Sequence, residues 1–282
     1  MENFILEDHA PSLLPSGKKW KLVWHDEFDG TELDTSKWGF RRNFWGRKFP
    51  AFTDQGVILD GKSHLQLHVT ERNGEYCSPH LQTASLTYDI PEDSGGFWPF
   101  GKYEQPKFLH KFGYYEIRCR LNRQPGWWAA FWLQSPSIGA HPDASQCGVE
   151  CDIMESQDYP AEKKIRCGNI WNGYGTDYKG SGHKIYELAD TGDGWHRFGV
   201  DWNASGYVFY TDGKEVNRVN GPVSNVEQFI LISTECMGYR NLKNPGPDPL
   251  LKKMNLPEYF EVDFVRVFDE ISPVNELCEM SG

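Results

Sequence analysis

The sequence predicts an all-β fold, a sandwich or jelly roll in a single domain. Three observations carry that reading: short segments with apolar residues at every second position, turn signals between them, and almost no helical periodicity. A strand sends successive side chains to opposite faces, so a period of two marks one packed face and one wet face. The 282 residues can bury a sizeable core as one large β domain or two small ones, and no heptad, repeat or linker divides them.

Residues 1–17 are polar and rich in Pro and Ser, which reads as an arm. From Trp20 to Phe28 the chain reads as a first strand, ending in the Asp29-Gly30 turn. Residues 38–56 form an irregular segment dense in Trp, Phe, Arg and Asn, and long loops of that kind commonly carry function. Leu65, Leu67 and Val69 alternate with Gln66 and His68, and 84–104 reads as a loop broken at Gly95-Gly96. Tyr115, Ile117, Cys119 and Leu121 alternate with Tyr114, Glu116, Arg118 and Arg120; Trp128, Ala130 and Trp132 then share one face of the next strand. A loop at 135–147 leads to an acidic strand at 150–155, a strand at 165–171 and a glycine-rich stretch at 172–182. Strands at 198–203 and 207–211 precede Asp212-Gly213, a strong hairpin signal before 214–219. The apolar run 229–236, a short helix within 247–256 and a closing strand at 260–268 complete the order. The division expected is an arm at 1–17, a catalytic domain at 18–270 and a tail at 271–282.

A net charge of −11 argues against nucleic acid and anionic membrane surfaces as partners. A hydrophobic fraction of 39% with no long apolar run excludes a membrane span. Aromatic residues make up 15%, which suits both sheet cores and a cleft whose rings stack on the C–H faces of sugars. The seven cysteines show no CxxC pair or Cys/His metal spacing and read mostly as buried thiols. Residues 1–19 lack the pattern of a secretory leader. The chain is thus cytoplasmic if native as it stands, and secreted or extracytoplasmic if a leader was removed. A monomer is expected.

Glu150-Cys151-Asp152-Ile153-Met154-Glu155 carries the chemistry. In a regular strand Glu150 and Asp152 share a face, but Glu155 falls on the apolar side, where a carboxylate is costly. A β-bulge between Asp152 and Glu155 restores the phase, so that all three acids share one face while Cys151 and Ile153 stay inside. Clustered carboxylates suit a charged nucleophile beside a proton-holding acid. Acids make up 40 of 282 residues, a frequency of roughly 0.14, so the spacing alone arises by chance about 0.8 times. Indeed Glu27, Asp29 and Glu32 repeat it, but around a Gly-Thr turn. Zinc, P-loop and dinucleotide patterns are absent. A thiol nucleophile at Cys147 or Cys151 lacks a histidine placed by sequence to activate it.

With these residues assembled, the chain resembles glycoside hydrolase family 16 over about residues 20–270. The matching marks are Trp24 to Gly30, Gly126 to Trp132, Glu150 to Glu155, Trp195 to Phe198 with Asp201-Trp202, Phe209 to Lys214, and Val262 to Val267. The resemblance implies a concanavalin-like β-jelly roll, two curved antiparallel sheets with a substrate cleft on the concave one. It implies endo-acting, retaining hydrolysis of a β-linked polysaccharide, with Glu150 as nucleophile, Glu155 as general acid/base and Asp152 between them. The extra residue in the motif resembles the bulged branch that holds laminarinases, agarases, porphyranases and carrageenases. Many bulged members carry a His on the next strand just before a Trp; here Ile170 precedes Trp171.

Trp128 and Trp132 match the family's cleft aromatics, with core packing as the alternative. Trp45, Asn43 and Trp171 are further subsite candidates, read equally well as core or loop anchors. Arg41, Arg42, Arg47 and Lys48 read as a solvated loop surface or as contacts to sulfate or uronate. Glu235 borders the cleft or sits on a solvated rim. The resemblance also implies a structural Ca²⁺ held by Glu27, the Gly61 carbonyl and Asp263; ordinary surface carboxylates are the alternative. No cofactor is expected for catalysis. The expected substrate is a β-1,3- or mixed-linkage glucan, with β-galactan as runner-up and a non-catalytic lectin or a transglycosylase as rival classes. Asn203-Ala204-Ser205 is a glycosylation sequon at a turn.

Overall fold

The period-two alternation becomes two antiparallel sheets packed face to face, a β-jelly roll. The computed structural model describes residues 1–86, 105–172, 178–181 and 183–271. The Gly95-Gly96 break, part of the glycine-rich 172–182 stretch and residues 272–282 of the expected tail lie outside the described residues. The first sheet runs Thr70–Arg72, Glu75–Gln82, Phe229–Cys236, Trp127–Gln134, Glu150–Glu155 and Lys164–Trp171, with Lys179–Gly180 and Lys184–Glu187 pairing the last of these. The second runs Lys214–Val219, Gly206–Thr211, His196–Asn203, Gly113–Arg120, Tyr259–Ile271, Leu65–His68 and Val57–Leu59. Lys19–Asp26 pairs with Tyr259–Ile271 as well.

The core is what each sheet turns toward the other. Phe131, Leu133, Cys151, Ile153, Met154, Ile230 and Ile232 from the first meet Tyr115, Ile117, Phe198, Val200, Val265 and Val267 from the second in one buried cluster. Removing these faces from water drives the packing. The first sheet is apolar on its other face too, where Ala130, Trp132, Phe229 and Leu231 form a smaller cluster with Trp128 at its edge. A floor of that kind suits a cleft. The hairpin signal is met: Asp212 and Gly213 both have positive φ, 48° and 76°, and Thr211 pairs with Lys214.

Three local expectations change. Residues 1–17 are more than an arm, because Glu2–Phe4 and Ser12–Leu14 form a two-stranded ribbon laid on the second sheet. Its backbone is held by distant side chains: Arg197 Nε donates to the Pro11 carbonyl (2.8 Å), Arg266 Nη1 to that of Ala10 (2.9 Å), and Leu13 N–H to Glu116 (3.0 Å). The helix within 247–256 is a single 3₁₀ turn, Leu251–Lys253. The 135–147 loop contains a helical turn, Ala144–Cys147, capped by Asp143 accepting from Ser145 N–H.

Among the described residues the cysteines are thiols, all buried except Cys77. Burial pushes the Cys151 thiol well above its ordinary range, which argues further against a thiolate nucleophile. No helix among the described residues is long and apolar enough to cross a membrane.

Candidate active site

The acidic strand carries its bulge where the phase argument requires it. Asp152 pairs with Gly168 and Glu155 with Arg166, so Ile153 and Met154 together stand opposite Cys167. Both are buried in the core with Cys151, while Glu150, Asp152 and Glu155 line one cavity on the other face. That cavity, of about 360 Å³, also takes in Trp128, Trp132, Trp45, Glu235 and Arg240. Gln134 continues the 128, 130, 132 alternation and pairs with Glu150, and its Nε2 donates to Glu150 Oε2 at 2.7 Å. Gln157 Nε2 donates to Glu155 Oε1 at 3.2 Å. The strand ends where Ser156 Oγ donates to Asn122 (2.7 Å) and accepts from Ala129 N–H (2.8 Å).

Burial sets the protonation of Asp152 and Glu155. Burial, and behind it the Asp152 and Glu150 charges, pushes Glu155 up to about 8, with His183 and Arg166 pulling the other way. Burial and the Glu150 charge hold Asp152 well above the ordinary carboxylate range. At neutral pH Glu155 therefore keeps a proton that it would lose in water. A stability prediction follows from linkage. Unfolded, Glu155 titrates near 4.5, so between about 4.5 and 8 the folded state binds a proton that the unfolded state has released. The stability linked to Glu155 is full below that window and falls as pH rises through it. Glu155→Gln removes the titration, so its Tm should exceed the native value by several degrees above pH 8, from a few kcal/mol of relieved burial, and match it near pH 4. Equal differences at both pH values would contradict the burial argument.

No local pattern in the chain pointed to His183. Its Nε2 lies 2.9 Å from Asp152 Oδ2 and 3.6 Å from Glu155 Oε2, so an imidazole bridges the two acids. It arrives from the segment alongside Lys164–Trp171, anchored where Ser181 N–H and Oγ bond the Asn169 carbonyl. Ile170, at the place where many bulged members carry a His, is buried. One indirect signal was present: Gly168 stands beside Asp152 in mid-strand. A Cβ there would come within 3.3 Å of the His183 backbone and 3.4 Å of its ring, so the missing side chain makes room for the histidine.

Of the other candidates, Trp128 and Trp132 line the cavity, and Trp132 Nε1 donates to Ser233 Oγ at 2.9 Å. Trp45 stands at its rim, 48% exposed. Glu235 is no solvated rim residue; it is buried in a two-point ion pair with Arg240. Asn43 and Trp171 are not among the cavity's lining residues, and Trp171 packs against the main core. Of the basic group, Arg41 is buried in the cavity wall, whereas Arg42, Arg47 and Lys48 are exposed.

The residues present do not fit a Ca²⁺ site at Glu27, Gly61 and Asp263. Glu27 accepts both ends of the buried Arg266 guanidinium (2.8 and 2.7 Å), and Asp263 accepts from Arg118. A cation there would have to displace a guanidinium from each carboxylate. Asp60, His64 and Glu261 bring ligand atoms together nearby, but His64 pairs with Asp60, and Glu261 with Arg120 and Gln66.

Comparison with known proteins places this geometry in a lineage. The model of glycosyl hydrolases family 16 matches residues 53–235. Glucan endo-1,3-beta-glucosidase A1 of Niallia circulans is 24% identical over 284 residues, covering 88% of this chain and 38% of that protein. Beta-porphyranase D of Zobellia galactanivorans is 29% identical over 150 residues, covering 52% of this chain and 33% of that protein. The chain thus spans well under half the length of these two curated relatives. The laminarinase catalytic domain of Thermotoga petrophila shares the fold, with a TM-score of 0.65 at 21% identity over 90% of this chain and 100% of that one. The kappa-carrageenase of Pseudoalteromonas carrageenovora, solved with an oligotetrasaccharide of kappa-carrageenan, does so with a TM-score of 0.67 at 19% identity over 93% and 99%. With more than half its length matched by the family model, and its acids on one face of a bulged strand, the chain belongs to glycosyl hydrolases family 16.

Proposed function

We propose that the chain is a retaining endo-glycoside hydrolase that cleaves internal β-linkages of a polysaccharide, with residues 18–270 as its catalytic domain. The observation that carries this reading is the shared cavity of Glu150, Asp152 and Glu155, in which Glu155 holds its proton up to about pH 8. Glu150, oriented by the Gln134 amide, attacks the anomeric carbon while Glu155 protonates the departing glycosidic oxygen. A glycosyl ester on Glu150 results. Water then attacks that ester, Glu155 takes the water's proton, and the sugar leaves with its anomeric configuration retained. Asp152, beside Glu150 and held by His183, sets the charge and orientation of the nucleophile.

Because Glu155 must enter the first step protonated, kcat/KM should fall as pH rises through about 8. His183 acts through its neighbours and is a positioning residue. His183→Ala should cost kcat roughly 10- to 100-fold, the worth of one hydrogen bond to a charged group. It should also move the alkaline limb upward, because His183 lowers Glu155. A variant with lower kcat but an unmoved limb would assign His183 a purely structural part.

Two substrate readings stand. The glucanase relative supports β-1,3- or mixed-linkage glucan. The porphyranase relative supports β-galactan, and one feature of the cleft favours this second reading: two arginines, Arg41 and Arg240, line it among aromatic rings. Incubation with laminarin, lichenan, agar, porphyran and carrageenans, followed by sizing of products, tests all of these. Short oligosaccharides and new reducing ends are expected from one class. Binding without new reducing ends would make the protein a lectin, and products longer than the substrate in the presence of acceptor sugars would make it a transglycosylase.

A further inference from the structure

The end of the cleft away from the acids is built differently from the rest. Across the first sheet one row of paired residues runs His80, Ser233, Ala130, Glu155. Three strand spacings separate its ends, roughly 14 Å. His80 is 2% exposed, and neither ring nitrogen has a hydrogen-bond partner among the described residues. Its ring stands edge-on to Phe52 (4.9 Å) and Trp132 (5.9 Å). Arg41 is buried beside it, with its guanidinium 5.6 Å from the Phe44 and Phe52 rings and 5.9 Å from Trp132. Arg240 lies over Phe44 (4.9 Å) and Trp128 (5.6 Å). Glu235 takes its Nε and Nη2, which fixes the guanidinium and leaves Nη1 without a hydrogen-bond partner among the described residues.

A subsite for a neutral sugar needs an aromatic platform and uncharged hydrogen-bonding groups. Arg41, buried in the wall, Arg240, half-exposed and paired with Glu235, and the buried His80 ring give this end of the cleft donors that suit an anion better than a neutral hydroxyl. The planar guanidinium matches the oxygens of sulfate and carboxylate, and a buried imidazole N–H adds a neutral donor. The catalytic acids do not forbid an anion here: His80 stands roughly 14 Å from Glu155 along the sheet, and Arg240 is near enough to Glu150 and Glu155 for its positive charge to offset theirs. The net charge of −11 repels a polyanion from the molecule as a whole, so accepting one requires local cations such as these.

We propose that the part of the cleft floored by His80 and flanked by Arg41 and Arg240 is a subsite for a sugar bearing an anionic substituent, a sulfate ester or a carboxylate. This builds on the hydrolase reading above and names the class of its substrate. The test uses Glu150→Gln protein and tryptophan fluorescence, since Trp45 and Trp128 line the site. Oligosaccharides from sulfated β-galactans are titrated against their desulfated counterparts, and uronate-bearing ones against their carboxyl-reduced counterparts, at low and high salt. One charged form should bind about tenfold tighter or more than its neutral partner, with the advantage shrinking at high salt. The pair that shows it identifies the substituent. Arg41→Met in the same background should cut that advantage about tenfold; if it fails to fold, the Arg240→Gln/Glu235→Gln pair, which leaves no unpaired carboxylate, should also reduce it. Equal binding, or tighter binding of both neutral forms, overturns the proposal. Reducing-end release by the native protein on the same polymers is scored separately: charge-selective binding without turnover keeps this subsite and removes the hydrolase reading.

Discussion

Glu150→Gln is expected to yield a folded protein whose turnover is lower by at least about 10⁴-fold, because it removes the atom that forms the covalent intermediate. The substitution is isosteric. Gln134 Nε2, now 2.7 Å from Glu150 Oε2, would meet an amide oxygen instead of a carboxylate, so the local hydrogen bond survives and folding should not suffer. The loss should appear in kcat, with little change in KM, since the interaction that disappears belongs to the reacting atoms. A smaller nucleophile supplied from solution, such as azide, should restore part of the activity to Glu150→Gly by attacking the vacated face of the sugar. Turnover within about tenfold of the native rate in purified Glu150→Gln would reject the nucleophile assignment and with it the retaining mechanism.

Arg266→Met is expected to cost roughly 3–5 kcal/mol of stability, the usual loss when one member of a buried ion pair is removed. Arg266 is fully buried, gives Nε and Nη2 to Glu27, gives Nη1 to the Ala10 carbonyl and Ser12 Oγ, and lies 3.7 Å from the Phe264 ring centroid. Without it Glu27 is left as a carboxylate inside the second sheet, and the N-terminal ribbon loses an anchor. A fall in Tm on the order of 10 °C should result, and adding Glu27→Gln should recover a good part of it by removing the stranded charge. A loss under about 1 kcal/mol in chemical denaturation would show that the pair contributes little. Chelators should leave Tm unchanged, because arginines occupy the carboxylates a cation would use.

What could be read from the sequence was what strand periodicity governs. The phase of Glu155 against Cys151 demanded a bulge, and the strand has it; the shared face of Trp128 and Trp132 is the cleft floor. What could not be read depends on which distant strands become neighbours. His183 reaches Asp152 only because its segment docks beside Gly168, and no local pattern encodes that docking. Arg41 and Arg42 look alike in sequence, yet Arg41 turns into the cleft while Arg42 pairs with Asp54 outside, a choice made by the path of an irregular segment. The resemblance implied Glu27 and Asp263 as metal ligands, and the arginines that hold them instead lie 239 and 145 residues away in the chain. The ribbon at the N-terminus is hidden for the same reason, its carbonyls being satisfied by Arg197 and Arg266.

The doubled step at Ile153 and Met154 has a consequence for how this strand can change length. In a regular strand a one-residue deletion inverts every side chain downstream. Because two apolar residues sit inward where one would do, loss of Ile153 leaves an alternating strand that still presents Glu150, Asp152 and Glu155 to the same side. Natural insertions and deletions of a single residue are therefore survivable at this kink, and the chemistry could drift between the longer and shorter spacing without passing through an inactive ancestor.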